Sequence, residues 1–377
     1  MVETAAQPLV VVAAGGTGGH LFPAEALAVA LSKRRVTVDL ATDERAVHYG
    51  HDFPARETHI IPSATLRTRN LAALLPAGWR LIRGAFVADR VFGRLKPAAV
   101  IGFGGYPTIP PVLAAVFRRI PTLIHEQNGV MGRANKLLAP LVRAIATSLP
   151  GVLDRDQRLA GKATHTGNPV RPAVIEAAKV PYAAPDRPRP LNLLVFGGSQ
   201  GARIMADIVP PAIELLPVGV RANLMLTQQA RAEDAERVRA TYDRLGIKAE
   251  IAPFFSDLPA RIAHSHLVVS RSGASTVAEL AAIGRPAILV PLPHALDQDQ
   301  LANARVLEQA GGAIRIDQAA FTPEKLAGEI AGIAVEPERL AVMAERARAA
   351  GALDAADRLA ELVLRVAGLK DGKVELR

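Results

Sequence analysis

Cysteine is absent from the 377 residues, which removes disulfides, cysteine-ligated metals and a thiol nucleophile from the possibilities. Aromatic residues make up 4% of the chain, with a single Trp. That is too few to build base-stacking platforms beside basic segments, so nucleic acid is not an expected partner. No run of 18 or more uncharged apolar residues occurs, and no helix is expected to span a bilayer. The apolar run Leu9 to Ala14 follows Glu3 rather than a basic region. It reads as a buried first strand, not as a secretory signal.

Half of the residues are apolar, enough at this length for two sizeable cores, and two domains are expected. Charge divides unevenly between them. Residues 1–190 carry 24 Lys and Arg against 13 Asp and Glu, a net of +11, whereas residues 191–377 carry 21 against 23, a net of −2. A basic first half beside a neutral second half, without stacking residues, points to an anionic membrane surface.

The chain repeats itself once. Gly15-Gly16-Thr17-Gly18-Gly19-His20 and Gly197-Gly198-Ser199-Gln200-Gly201-Ala202 each follow an apolar run and precede a helical pattern, at an offset of 182 residues. Short β-branched runs alternate with helical patterns in both halves: Val36–Leu40, Ala98–Ile101, Thr122–His125 and Arg143–Thr147, then Leu191–Phe196, Ala222–Thr227, Leu267–Ser270 and Ala287–Val290. This alternation predicts an α/β chain of two doubly wound parallel sheets. The expected domains are 1–170 and 191–354, joined by a linker over 171–190. Six prolines between 169 and 190 mark that linker. A helix from about 355 is expected to return to the first domain.

Strand, glycine turn and helix in succession direct backbone N–H groups and a helix N-terminus at one point, where an anion can sit. A merely structural turn is the competing reading of either loop. A dehydrogenase fingerprint fails, because its third glycine falls on Leu21. A further loop, Gly102 to Pro107, places Gly104, Gly105 and Tyr106 after another strand. His125-Glu126-Gln127-Asn128 ends a strand with four polar side chains, where open α/β sheets hold ligands. In the second half, Ser270-Arg271-Ser272-Gly273-Ala274-Ser275-Thr276-Val277-Ala278-Glu279 closes a strand and starts a helix. Here a diphosphate at the helix N-terminus with Glu279 on a ribose competes with a Thr276–Glu279 capping box. Asp297 and Asp299 have the spacing of a shared cation site, but helix N-termini already supply positive potential, and no metal or other cofactor is expected. Gln300 and Asn303, one turn apart, are candidate sugar contacts.

Taken together, GGTGGH at 15–20, GFGGY at 102–106, HEQN at 125–128, TGNPVR at 166–171, GGSQGA at 197–202, SRSGASTVAE at 270–279 and DQ at 299–300 resemble the MurG family of N-acetylglucosaminyltransferases. The resemblance implies a GT-B fold of two Rossmann-like domains facing across a cleft. It also implies a peripheral position on the cytoplasmic side of the bacterial plasma membrane, with UDP-GlcNAc as donor and lipid I as acceptor. Thr17, Gly18, Gly19 and Asn128 then correspond to the donor-sugar side. Arg171, Ser199, Phe255 and Ala274 to Glu279 correspond to the nucleotide site, and Gln300 to a GlcNAc contact. Phe255 replaces a usual aliphatic residue that acts through its backbone, and Asp299 stands where His or Gln is usual. In the implied inverting displacement, His20 is the candidate base because its ordinary pKa of ~6.5 suits neutral pH, with Glu126 as the rival. A UDP-sugar 2-epimerase and a non-catalytic sugar-nucleotide binder are the alternatives from other classes.

Overall fold

The computed structural model describes the chain apart from residues 1–6, 16–17, 45–52, 65–70, 155, 186–189, 199–200, 294–298, 371–372 and 375–377. The expectations for Thr17, Ser199, Gln200 and Asp297 therefore lie outside the described residues, as do Arg67 and Arg69 of the basic stretch 66–96 that is expected to face the membrane. Two units form, Met1–Arg171 with Asp354–Arg377, and Pro172–Leu353.

The first unit contains β1 (Leu9–Ala13), α1 (Gly18–Lys33), β2 (Thr37–Thr42), β3 (Thr58–Ile60), α2 (Leu71–Leu95), β4 (Ala99–Gly102), α3 (Ile109–Phe117), β5 (Thr122–Glu126), α4 (Arg133–Leu138), β6 (Ala144–Thr147), α5 (Gln157–Ala160) and β7 (Ala163–His165). The second contains α6 (Pro172–Ala177), β8 (Leu191–Phe196), α7 (Arg203–Glu214), α8 (Val218–Arg221), β9 (Leu224–Gln229), α9 (Ala232–Arg244), β10 (Ala249–Ala252), α10 (Leu258–His264), β11 (Leu267–Ser270), α11 (Ala274–Ile283), β12 (Ala287–Leu289), α12 (Asp299–Ala310), β13 (Ala313–Arg315), α13 (Pro323–Ala334) and α14 (Pro337–Ala349). Helix α15 (Ala355–Ala367) belongs to the first unit.

The main sheet of each unit is parallel, and a short antiparallel pair, Leu369–Lys370 with Lys373–Val374, lies near the C-terminus. The orders of the main sheets are β3-β2-β1-β4-β5-β6-β7 and β10-β9-β8-β11-β12-β13. Each order reverses beside its first strand, at β1/β4 and at β8/β11, and doubly wound sheets bind ligands beyond the carboxyl ends of strands at such points. The first strand of each unit is central because its side chains are apolar on both faces. Val10, Val11 and Val12 are wholly buried, and only a sheet covered on both sides accepts such a strand. Leu359, Ala360 and Val363 of α15 complete the same core as Val10, Leu27 and Leu31.

Local chemistry departs from the sequence reading in three places. Helix α1, expected from about Pro23, begins at Gly18 with Pro23 inside it, so His20 is its third residue. Strand β3, absent from the expected strands, pairs with β2 in parallel and is also joined to it through polar groups: the buried carboxylate of Asp39 accepts from Arg56 at 2.9 and 2.7 Å and bonds His59 Nε2 at 2.9 Å. The stretch read as linker is partly built into the second unit. Val174, Ala177 and Ala178 are buried, and Arg285 and Arg348 donate to the carbonyls of Val180 and Ala178 at 3.0 and 2.8 Å.

Candidate active site

In the first unit the segments after β4 and β5 converge on His20 near the start of α1. A side chain at Gly15 would place its Cβ 2.8 Å from Thr42 Oγ1, so the chain leaving β1 tolerates none. Gly104 and Gly105 have φ of 84° and 74°, a region that favours glycine. A Cβ at Gly104 would lie 3.4 Å from His20 Cε1, and one at Gly105 would lie 3.4 Å from His20 Nε2. The imidazole thus rests against bare backbone. Thr108 Oγ1 donates to Gly105 O at 2.8 Å and closes the turn that carries Tyr106.

The end of β5 is a buried polar network. His125 Nε2 lies 3.1 Å from Gly167 O, Gln127 Nε2 lies 3.0 Å from His125 Nδ1 and 3.0 Å from His125 O, and His20 Nδ1 lies 3.1 Å from Gln127 Oε1. Burial pushes His125 down to about 4, so its ring is neutral at neutral pH. Glu126 faces the other way. Its Oε1 accepts from the backbone N of Asn128 at 3.0 Å and from Asn128 Nδ2 at 3.2 Å. Its Oε2 accepts from Gly132 N at 2.9 Å and from Asn135 Nδ2 at 2.8 Å. Four donors fill the capacity of a carboxylate, so Glu126 holds the loop between β5 and α4. Asn135, which no motif flagged, also donates to His125 O at 3.2 Å. Its Oδ1 is buried without a partner among the described residues, 3.6 Å from a Cβ position at Gly104. Arg171 stacks on Phe22, its guanidinium carbon 3.8 Å from the ring centroid.

In the second unit a Cβ at Gly197 would come within 2.1 Å of Ala202 N, and Gly198 and Gly201 have φ of 93° and 66°. The loop is anchored by Gln229, another residue the sequence reading missed. Gln229 accepts from Gly197 N at 2.9 Å and donates to Pro253 O at 3.1 Å, which ties the loop to the segment carrying Phe255. The Phe255 ring is buried with Arg261 4.3 Å above it. That leaves the backbone of Phe255, rather than its side chain, for any ligand.

Helix α11 has Gly273 as its N-cap, and Thr276 is its third residue. The capping-box reading of Thr276 and Glu279 therefore fails. Gly273, Ala274, Ser275 and Thr276 are half-buried around the helix start, Ala278 is half-buried one turn on, Val277 faces the core, and Glu279 is buried. Arg271 does not reach toward this start. It donates to the carbonyls of Val290 and Pro291 at 3.1 Å each and to Gln318 Oε1 at 2.6 Å. Ser272 donates to Gln300 O at 2.8 Å, Asn303 donates to Ser272 O at 3.2 Å, and Gln300 Oε1 accepts from Leu292 N at 3.0 Å. These bonds fasten the β11 loop to the start of α12. Asp299 Oδ1 accepts from Gln300 N at 2.9 Å, a helix-start contact. Among the described residues one trio, Asp39, Glu57 and His59, has ligand atoms close enough to share a cation. It lies at the β2–β3 pairing, where Arg56 already engages Asp39.

The Glycosyltransferase family 28 N-terminal domain matches residues 10–147, and the Glycosyltransferase family 28 C-terminal domain matches residues 192–359. A Bradyrhizobium protein named UDP-N-acetylglucosamine–N-acetylmuramyl-(pentapeptide) pyrophosphoryl-undecaprenol N-acetylglucosamine transferase is 61% identical over 97% of this chain and 100% of its own. A Rhodopseudomonas palustris protein of the same name is 61% identical over 98% and 99%. The crystal structure of Acinetobacter baumannii MurG aligns with a TM-score of 0.76 at 29% identity, covering 95% of this chain and 99% of that one. This chain belongs to the MurG family. Its two parallel-sheet units are the paired Rossmann-like domains of the GT-B fold, and it is a glycosyltransferase. UDP-GlcNAc 2-epimerase from Neisseria meningitidis bound to UDP-GlcNAc aligns with a TM-score of 0.69 at 13% identity, covering 95% and 100%, which is a likeness of fold alone. Within the MurG family frame, the strand-end loops of this chain are the places to look for donor and acceptor.

Proposed function

We propose that this chain transfers GlcNAc from UDP-GlcNAc to the 4-hydroxyl of MurNAc in lipid I, giving lipid II for peptidoglycan synthesis. The observation that carries this reading is identity of about 61% across nearly the full length of proteins bearing that activity in their name. The second unit receives the donor: the glycine loop after β8 and the N-terminus of α11 face the diphosphate, Glu279 accepts from the ribose hydroxyls, and the backbone at Phe255 meets uracil. Gln300 of the second unit contacts the donor sugar. The first unit receives the acceptor at His20, Gly104, Gly105 and Tyr106. His20 removes the hydroxyl proton as the oxygen attacks the anomeric carbon, inverting it, and UDP departs with the bonding electron pair. Incubating the protein in EDTA with UDP-GlcNAc and a short-chain lipid I analogue tests the reading. UDP and a new disaccharide are expected; release of free sugar without acceptor would indicate an epimerase, and binding without turnover a sensor.

The same reading places α2 on the cytoplasmic face of the plasma membrane. No helix among the described residues is long and apolar enough to cross a membrane. Along α2, Leu75, Trp79, Ile82 and Phe86 repeat at helical spacing and are 78%, 68%, 51% and 67% exposed. The opposite side carries buried Ala88 and Phe92, with Gly84 allowing close approach to Pro62 O. Exposed Arg80, Arg83, Arg90 and Arg94 accompany the apolar stripe, while Asp89 is held by Arg118 at 2.5 and 2.9 Å. An apolar stripe beside basic charge suits anionic lipid, at about 1 kcal/mol per basic residue near the surface. Anionic vesicles should retain the protein less as salt rises, and the Trp79→Ser, Phe86→Ser double variant should bind weakly while folded. Equal retention of that folded variant would remove α2 from this role.

A further inference from the structure

We propose that Gln127 is a positioning residue that sets the tautomer of His20, holding the ring with its proton on Nδ1 so that Nε2 is the basic nitrogen. The inference rests on the reading of His20 as the base. It begins at Gly167, whose carbonyl only accepts. His125 Nε2, 3.1 Å away, must therefore carry a proton. Because His125 is neutral in its buried setting, its Nδ1 bears a lone pair.

The orientation of the Gln127 amide follows. Its nitrogen lies 3.0 Å from each of two acceptors, His125 Nδ1 and His125 O. Turning the amide over would set Oε1 against both. With the nitrogen fixed there, Oε1 is the atom 3.1 Å from His20 Nδ1, and a carbonyl oxygen can only accept. His20 Nδ1 carries the proton, and in the neutral ring Nε2 holds the lone pair. The arrangement does for a neutral amide what a buried carboxylate does for the histidine of a hydrolase triad, which is to fix tautomer and orientation.

The loop after β4 serves the same nitrogen from outside. Gly105, at φ 74°, keeps a Cβ from the position 3.4 Å from Nε2. During transfer the hydroxyl proton passes to Nε2, the oxygen lone pair forms the new glycosidic bond, and the bond to UDP breaks with its electrons leaving on the diphosphate. The imidazolium then donates from Nδ1 to the Gln127 carbonyl, a charge-assisted bond stronger than the one in the neutral ring. Because an amide does not take the proton, the charge stays on His20 until the ring releases it.

Nitrogen-resolved imidazole NMR on the full chain, with His20 assigned by substitution, tests this together with kinetics. Wild-type His20 in its neutral form is expected as the Nδ1–H tautomer. In Gln127→Met the Nε2–H tautomer should dominate, and kcat should fall about 10- to 10³-fold while KM for UDP-GlcNAc stays within about threefold. In Gln127→Glu one oxygen still accepts from Nδ1–H, so the His20 tautomer should be kept, while the other oxygen meets His125 Nδ1 and O and holds kcat below wild type. A wild-type His20 in the Nε2–H form overturns the proposal whether or not either variant folds, as does a Gln127→Met chain with unchanged tautomer and kcat. The His20→Ala variant separates the two layers. If it turns over within a few-fold of wild type, the base reading fails, while a tautomer change in Gln127→Met still supports the contact from Gln127.

Discussion

Replacing His20 by alanine is expected to lower turnover about 10²- to 10⁴-fold, the usual worth of a general base, with little change in affinity for UDP-GlcNAc. The separation follows from where the group sits. His20 is the third residue of α1 in the first unit, whereas Glu279, the α11 start and the β8 loop belong to the second unit. Losing an interaction made only in the transition state reduces kcat and kcat/KM together and leaves ground-state binding in place. The His20 ring also contacts the Gly104-Gly105 backbone, so the truncation opens a small space rather than burying an unpaired charge, and folding should survive. Single-turnover rates with saturating donor, alongside calorimetric donor binding, give the answer. A variant within a few-fold of wild type would eliminate His20 as the base.

How much of this was readable in the residues depends on how far apart the partners lie. Strands β8 and β11 run over the residues expected, Leu191–Phe196 and Leu267–Ser270, because runs dominated by apolar residues leave little choice of boundary. Strands β3, β7 and β10 have three or four residues and flank the others. At such sites hydrogen bonding to a neighbour, or an ion pair such as Asp39 with Arg56, decides the strand, and periodicity carries no signal. The location of the candidate site was legible because glycine loops sit where strands end. The division of labour inside it was not. Arg271 stands within the motif read as a candidate diphosphate site, yet its guanidinium meets the carbonyls of Val290 and Pro291, partners about twenty residues away that no local pattern announces. Gln229 and Asn135 went unnoticed for the same reason, since each matters through a backbone group brought near by folding.

Glu126 carries the sharpest consequence of such distant partners. In the isosteric variant Glu126→Gln, the side-chain nitrogen replaces one carboxylate oxygen and confronts two donors, either Asn128 N and Nδ2 or Gly132 N and Asn135 Nδ2. Two hydrogen bonds disappear, from donors that are buried at Asn135 and half-buried at Asn128 and Gly132, at about 1–3 kcal/mol each. A loss of about 2–5 kcal/mol is expected, which lowers the melting transition of the first unit by about 5–15 °C for a unit of this size. Turnover should fall as well, because His125 and Gln127 flank Glu126 at the end of β5. Stability is therefore the deciding measurement. A carboxylate that acts only as a base loses its chemistry in the amide form and leaves the fold untouched, since nothing in the resting protein depends on its charge. Scanning calorimetry of Glu126→Gln, with kinetics taken well below its transition, distinguishes the two. An unchanged melting transition with turnover lost would make Glu126 the base and return His20 to a supporting contact.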